Sequence, residues 1–109
     1  MKIAISSDNG FVSEHFGRCE EYAIFDIENN KITKQEILKN PGHEPSFLPK
    51  FLKKKGVNVI ITQGAGPRAI ELLNNFGIKV ILTEKEENKE VIKNYLKGEL
   101  KEKENQCNH

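Results

Sequence analysis

The chain has 109 residues, 17 basic and 16 acidic, for a formal net charge of +1. That balance argues against a general polyanion binder, because phosphate-tracking proteins carry a clear basic excess, and 37% apolar with 30% charged residues fits a folded chain and not a disordered one. No apolar run approaches the roughly 20 residues of a membrane span, Met1–Ser6 turns polar too soon for a secretory signal, and two cysteines cannot build a disulfide framework, so a cytoplasmic setting with reduced thiols is expected.

Lys2 to Ser6 reads as a first strand, with Ile3 and Ile5 on one face and Ala4 on the other. Ser7 to Glu21 has no convincing period and reads as a loop with room for one helical turn. Tyr22 to Glu28 is apolar and β-rich, a second strand. Asn29-Asn30 makes a two-residue turn, since Asn tolerates positive φ. Lys31 to Leu38 is the return strand, and its Lys34, Gln35 and Glu36 suit a sheet edge. Asn40 to Pro45 is dense in breakers. Ser46 is the expected N-cap of a helix reaching Lys55, with Pro49 in its first turn and Gly56 as its stop. Val57 to Thr62 is nearly continuous in apolar residues, as a buried central strand should be. Gln63 to Gly66 is a turn, and Pro67 opens a helix whose Ala69, Ile70, Leu73 and Phe76 share a face. Ile78 to Leu82 is a fifth strand. Glu87 to Leu96 is a last amphipathic helix, and a charged stretch follows from Lys97.

The order βββαβαβα implies an α/β fold. A meander of the first three strands joins a parallel second half, giving a five-stranded mixed sheet of order 3-2-1-4-5 with strand 2 antiparallel. Residues 1–100 form one domain and 101–109 a flexible charged tail. The chain leaves the first and fourth strands in opposite directions, which creates a switch point of the kind where open α/β sheets bind ligands.

Two segments meet at that point. One runs from Ser6 through His15, Arg18 and Cys19. The other is Gln63-Gly64-Ala65-Gly66-Pro67-Arg68, a glycine-rich turn feeding a helix N-terminus, whose free N–H groups, with Arg68, favour an anion. The same glycines also suit a plain βα turn. The spacing is neither a Walker loop nor a dinucleotide fingerprint. His15 and Cys19 lie four apart, so a helical turn would bring imidazole and thiol together for a soft metal, with Arg18 favouring the thiolate; the alternative is a buried packing cysteine and a loop histidine. His43 sits in the loop after the third strand, which emerges at the same end of the sheet. Cys107 and His109 could chelate a metal ion or have no role. The acidic residues do not form the cluster that a metal-dependent nuclease needs, and no nucleophile elbow supports a hydrolase. Lys50 with Lys53, Lys54 and Lys55 reads as a solvated face or one that meets an acidic partner; without an aromatic platform it does not predict nucleic-acid binding.

Val12-Ser13-Glu14-His15-Phe16-Gly17-Arg18-Cys19, Asn40-Pro41-Gly42 and Gly64-Ala65-Gly66-Pro67-Arg68-Ala69 resemble the dinitrogenase iron–molybdenum cofactor biosynthesis family, its small stand-alone NifX/NifY-like members in particular. The resemblance covers the chain to about Leu100. It implies a three-layer α/β/α ribonuclease-H-like fold. It also implies a non-catalytic binding or carrier protein for an iron–sulfur or molybdenum-containing cluster, accessory to metallocluster biosynthesis. The implied site holds the cluster through Ser6, His15, Arg18, Gly64, Ala65, Gly66 and Arg68, with His15, Cys19, His43, Cys107 and His109 as candidate metal ligands. The implied partners are the cluster and a protein that donates or accepts it, with no nucleic acid and no membrane, in a monomer or weak homodimer. A small-anion-binding or protein-interaction module without metal is the alternative.

Overall fold

The computed structural model describes residues 1–42 and 47–102. Its elements in chain order are strands β1 (Lys2–Asp8), β2 (Phe11–Val12), β3 (Glu21–Glu28) and β4 (Lys31–Lys39), helix α1 (Phe47–Lys54), strand β5 (Val59–Thr62), helix α2 (Pro67–Asn75), strand β6 (Lys79–Leu82) and helix α3 (Asn88–Lys97). The sheet path is β4-β3-β1-β5-β6. β3 runs antiparallel to both β1 and β4, while β1, β5 and β6 are mutually parallel.

The sheet has six strands and not five. The extra strand is β2, two residues long, paired antiparallel to the end of β1 through Ser7–Val12 and Asp8–Phe11. The reversal is made by Asn9 and Gly10, both at positive φ, a tight turn of the type Asn-Gly favours. The expected helical turn in this region is also corrected: residues 13–20 contain no helix. Their amides and carbonyls are bonded outward to neighbouring segments, which competes with any i→i+4 ladder.

Alternation along β1 divides the interior into two layers of apolar packing. Ala4 faces one side with Tyr22, Ile24 and Ile60, covered by Leu48 and Leu52 of α1 and Leu73 of α2. Ile3 and Ile5 face the other with Phe25, Val59 and Ile61, covered by Val91 and Ile92 of α3. Helices thus lie on both faces of the sheet. Both βα units have the expected punctuation: Gly66 caps α2 with Pro67 at its first position, and Gly56 reverses the chain after α1 at φ +83°. The chain after α3 is held further than a frayed tail would be. Leu100 packs on the α3-side core, and Thr83 Oγ1 donates to the Lys101 carbonyl at 2.9 Å. No helix among the described residues is long and apolar enough to cross a membrane.

Candidate functional site at the switch point

Because β1, β5 and β6 are parallel, all three deliver their carboxyl ends to one edge of the sheet. β4 runs parallel to β1 across β3 and ends there too. The residues that follow these strands therefore meet, and hydrogen bonds record the meeting. The Ser13 amide donates to the Ser6 carbonyl at 2.7 Å, the Gln63 amide to the Ser13 carbonyl at 3.0 Å, and the Phe16 amide to the Gly64 carbonyl at 3.0 Å. Gln63 Nε2 donates to the Val12 carbonyl at 2.7 Å. The loop of residues 12–16 is thus fastened along the turn after β5 by main-chain bonds that no side-chain change removes.

The fit is close at Gly64. A Cβ there would stand 3.1 Å from the Glu14 carbonyl oxygen, so any other residue would push the loop back by a few tenths of an ångström, and glycine favours its close approach. Beyond it, α2 begins with no acidic residue in its first turn and no side-chain cap. The amides at its N-terminus keep their attraction for an anion, and Arg68 is exposed beside them.

His15 rides on the fastened loop. Its amide is held by Ser13 Oγ at 3.2 Å, while its side chain is 60% exposed, with Glu14 Oε2 at 4.0 Å from its Nε2. The imidazole is therefore free to take a ligand from solvent. It lines an open depression of about 360 Å³ together with Asp8, Phe11, Glu14, Gln63 and Lys85. Lys85 Nζ lies 5.5 Å from the centre of the Phe11 ring, a cation–π distance. Phe11 bridges to Glu87, and the Val12 amide donates to the Glu86 carbonyl at 2.9 Å; both draw the loop after β6 against β2.

Gln63 belongs to the segment expected at the switch point, whereas Lys85 escapes a reading of the sequence by motif. The signal for Lys85 was topological: a loop following a strand parallel to the first must open on the same edge. Ser6 lies within β1, two residues before its end, opposite Tyr22 in the β1–β3 register. Its hydroxyl is fully buried, with no hydrogen-bond partner among the described residues. Its neighbour Ser7 differs, since Ser7 Oγ accepts from Asn88 Nδ2 at 2.8 Å.

His15 and Cys19 are not brought onto one helical face, since no helix forms there. Cys19 is buried, 3% exposed, in the core between the sheet and α1/α2. Its thiol donates to the Phe16 carbonyl at 3.5 Å, where Tyr22 Oη also donates at 2.7 Å. Burial pushes the Cys19 thiol up, and the negative charge of Asp8 adds to it. The expectation that Arg18 favours the thiolate is thereby corrected, because desolvation penalises the charged form and Arg18 itself is exposed. Arg18 and Cys19 line a second shallow depression with Gly17, Glu20, Asn40 and Gly42.

Asn40 ties that depression together. Its Nδ2 donates to the carbonyls of Gly17 at 3.1 Å and Cys19 at 2.9 Å, and its Oδ1 accepts from the Gly42 amide at 3.1 Å. The loop after β4 does open at the same edge of the sheet. His43, Cys107 and His109 lie outside the described residues, and among the described ones no three His, Cys, Asp or Glu side chains converge as a metal-binding group.

The arrangement has known counterparts. An uncharacterized protein of Methanocaldococcus jannaschii is 37% identical over 105 residues, spanning 92% of this chain and 89% of that one. The crystal structure of a protein named PH0822 superposes with a TM-score of 0.88 at 35% identity, covering 94% of both chains. A Methanocaldococcus jannaschii protein provisionally described as a dinitrogenase has a crystal structure that superposes with a TM-score of 0.80 at 25% identity, covering 96% of both chains. The family model described as dinitrogenase iron–molybdenum cofactor matches residues 1–98, a span that contains the switch-point loop, the glycine turn and Asn40. The chain belongs to the dinitrogenase iron–molybdenum cofactor family.

Proposed function

We propose that the protein is a non-catalytic carrier for an iron–sulfur or molybdenum-containing cluster, accessory to metallocluster biosynthesis. The observation that carries this reading is the exposed His15 imidazole on a loop pinned by main-chain bonds to the Gly64 turn. A ligand on a fixed backbone binds without an ordering cost, and a ligand open to solvent can pass its cargo on. Cluster sulfides are anionic. They would find the α2 N-terminus, Gly64-Ala65-Gly66 and Arg68 on one side and Lys85 on the other, with Arg18 further along the same loop. Family membership supports the reading, as does the neighbour provisionally described as a dinitrogenase. Cys19 is left out of the ligand set, because buried thiols that hold their proton are poor ligands. A protein that delivers or receives the cluster is the implied partner.

The test is anaerobic incubation with iron and sulfide and, separately, with tetrathiomolybdate, followed by desalting, absorption spectra and metal analysis. Stoichiometric metal with charge-transfer bands is expected in the wild type and in Cys19→Ser, and its loss in His15→Ala. Retention by His15→Ala as full as by the wild type removes His15 from the site, and no retained metal in any preparation overturns the carrier reading. The uncapped α2 N-terminus beside Arg68 favours a second reading, an anion-binding module without metal. Its mark is phosphate or molybdate binding that survives His15→Ala and is lost in Arg68→Ala.

A further inference from the structure

The outer edge of β4 is built to accept a second copy of itself. β4 ends the sheet path, and no described strand pairs with its outer side. It is nine residues long, and all but Leu38 are exposed. An edge of that length with free N–H and C=O groups is a template for strand addition unless something blunts it. β4 contains no proline, and it carries two of the five exposed large apolar side chains among the described residues, Ile32 at 44% and Ile37 at 50%.

The register with β3 sorts these side chains by face. Ile37, Gln35 and Ile32 stand opposite Ala23, Phe25 and Ile27, residues of the α3-side core. Lys34 and Glu36 stand opposite Asp26 and Ile24 on the other face. The register slips at Asp26/Ile27, where Thr33 is passed over, which is why Ile32 shares a face with Gln35 and Ile37.

We infer that β4 pairs antiparallel with β4 of a second copy about a two-fold axis at Gln35. In that register Lys34 of each chain faces Glu36 of the other, giving two opposite-charge pairs on one face. If Thr33 is again passed over, Ile32 of each chain faces Ile37 of the other, giving two apolar pairs on the opposite face. Among the described residues neither Lys34 nor Glu36 has an ion-pair partner within the chain, so both are available. An isologous contact requires such self-complementarity, and directly opposed pairs are the unit that stabilises a sheet. The charges that protect this edge from foreign strands therefore match a second β4. The interface is small, so the dimer is of the weak, concentration-dependent class. It lies at the sheet edge beyond β3, away from β5 and β6, and is independent of any cargo.

The test is charge reversal with sedimentation equilibrium of the full chain over a wide concentration range. Wild type moves toward twice the monomer mass as concentration rises. Lys34→Glu and Glu36→Lys each convert two attractive pairs into two repulsive ones and weaken association by about tenfold or more. The double variant Lys34→Glu/Glu36→Lys restores it. An equimolar mixture of the two single variants also associates, because each supplies the charge that the other lost. Circular dichroism checks that all variants fold, as exposed substitutions should. A wild type that stays monomeric at millimolar concentration overturns the inference and leaves the edge to another protein's strand. Single variants that associate as tightly as wild type overturn it as well, as does a mixture that stays monomeric.

Discussion

Replacing Asn40 with alanine removes one side chain that serves three main-chain groups. Its amide nitrogen satisfies two carbonyls, those of Gly17 and Cys19, and its oxygen accepts the Gly42 amide. The backbone bond from the Asn40 amide to the Glu20 carbonyl at 3.2 Å remains, so the strand end stays in place and only the side-chain bonds are lost. A net worth of about 0.5–1.5 kcal/mol per bond, reduced because Asn40 is half-buried and water can reach some of the freed groups, gives a loss of about 2 kcal/mol. With a slope of about 1.5 kcal/mol per molar urea for a chain of this length, the unfolding midpoint falls by about 1.3 M. Asn40→Asp should cost more than Asn40→Ala. It keeps the acceptor for Gly42 but sets a carboxylate against two carbonyl oxygens.

The effect should also be local. The carbonyls of Gly17 and Cys19 lose their tie, whereas Glu20 keeps its bonds to Asp8 and to the Asn40 amide, and Val12 to Phe16 keep theirs to Ser6, Gln63 and Gly64. Amide exchange under native conditions separates the two halves: protection drops at Gly42, whose amide loses its acceptor, and persists at Ser13 and Phe16. A loss below about 0.5 kcal/mol, within the range of ordinary surface substitutions, would show that Asn40 is not the tie described here. Equal loss of protection at Phe16 would show that the two halves of the loop do not hold independently.

Two further predictions concern the neighbouring groups. Burial raises the proton affinity of both Cys19 and Tyr22 in the folded chain. The unfolded chain releases these protons first as pH rises, so their contribution to stability is complete below the thiol's ordinary value near 9.0 and is lost above it. Urea midpoints should hold steady between about pH 7 and 8 and fall from about pH 9 upward, less steeply in Cys19→Ser and Tyr22→Phe; an equal slope in all three proteins refutes the assignment. Lys85→Ala, at an exposed position, should leave the stability within about 0.5 kcal/mol of wild type while lowering tetrathiomolybdate retention, most clearly at low salt where an exposed cation acts furthest. Unchanged retention at low salt removes Lys85 from the site.

The strand faces were legible because the pattern of period two in β1 has one solution: Ile3 and Ile5 must share a side and Ala4 must take the other. Gly56, Gly66 and Pro67 marked the helix limits for similarly local reasons. The segment from Ser7 to Glu21 was not legible, because its conformation is fixed from outside. Ser13 and Phe16 find partners in β1 and after β5, Val12 in the loop after β6, and a single chain's sequence does not record such distant pairings. The two-residue β2 has too few positions to show a period at all. Cys19 was ambiguous for a different reason. Its spacing from His15 fits a shared ligand face only if the segment is helical, and the bonds from Ser13 and Phe16 to distant carbonyls are what keep it from being so.

That same bonding separates two duties within one short loop. Phe16 and Cys19 turn inward and join Tyr22 in the core, with the Phe16 carbonyl receiving both the tyrosine hydroxyl and the thiol. Glu14 and His15 turn outward, against a glycine where a side chain would crowd the Glu14 carbonyl. The imidazole is therefore presented by a backbone held from below by the core and from the side by the turn after β5, while its own ring makes no hydrogen bond among the described residues and has Glu14 Oε2 at 4.0 Å. Under the carrier reading this has a kinetic consequence. Release of cargo needs no unfolding of the loop, so His15→Ala should change cluster retention while changing stability, read from the urea midpoint, by no more than about 0.5 kcal/mol. A large loss of stability in that variant would mean that His15 is part of the scaffold, and the separation of duties would fail with it.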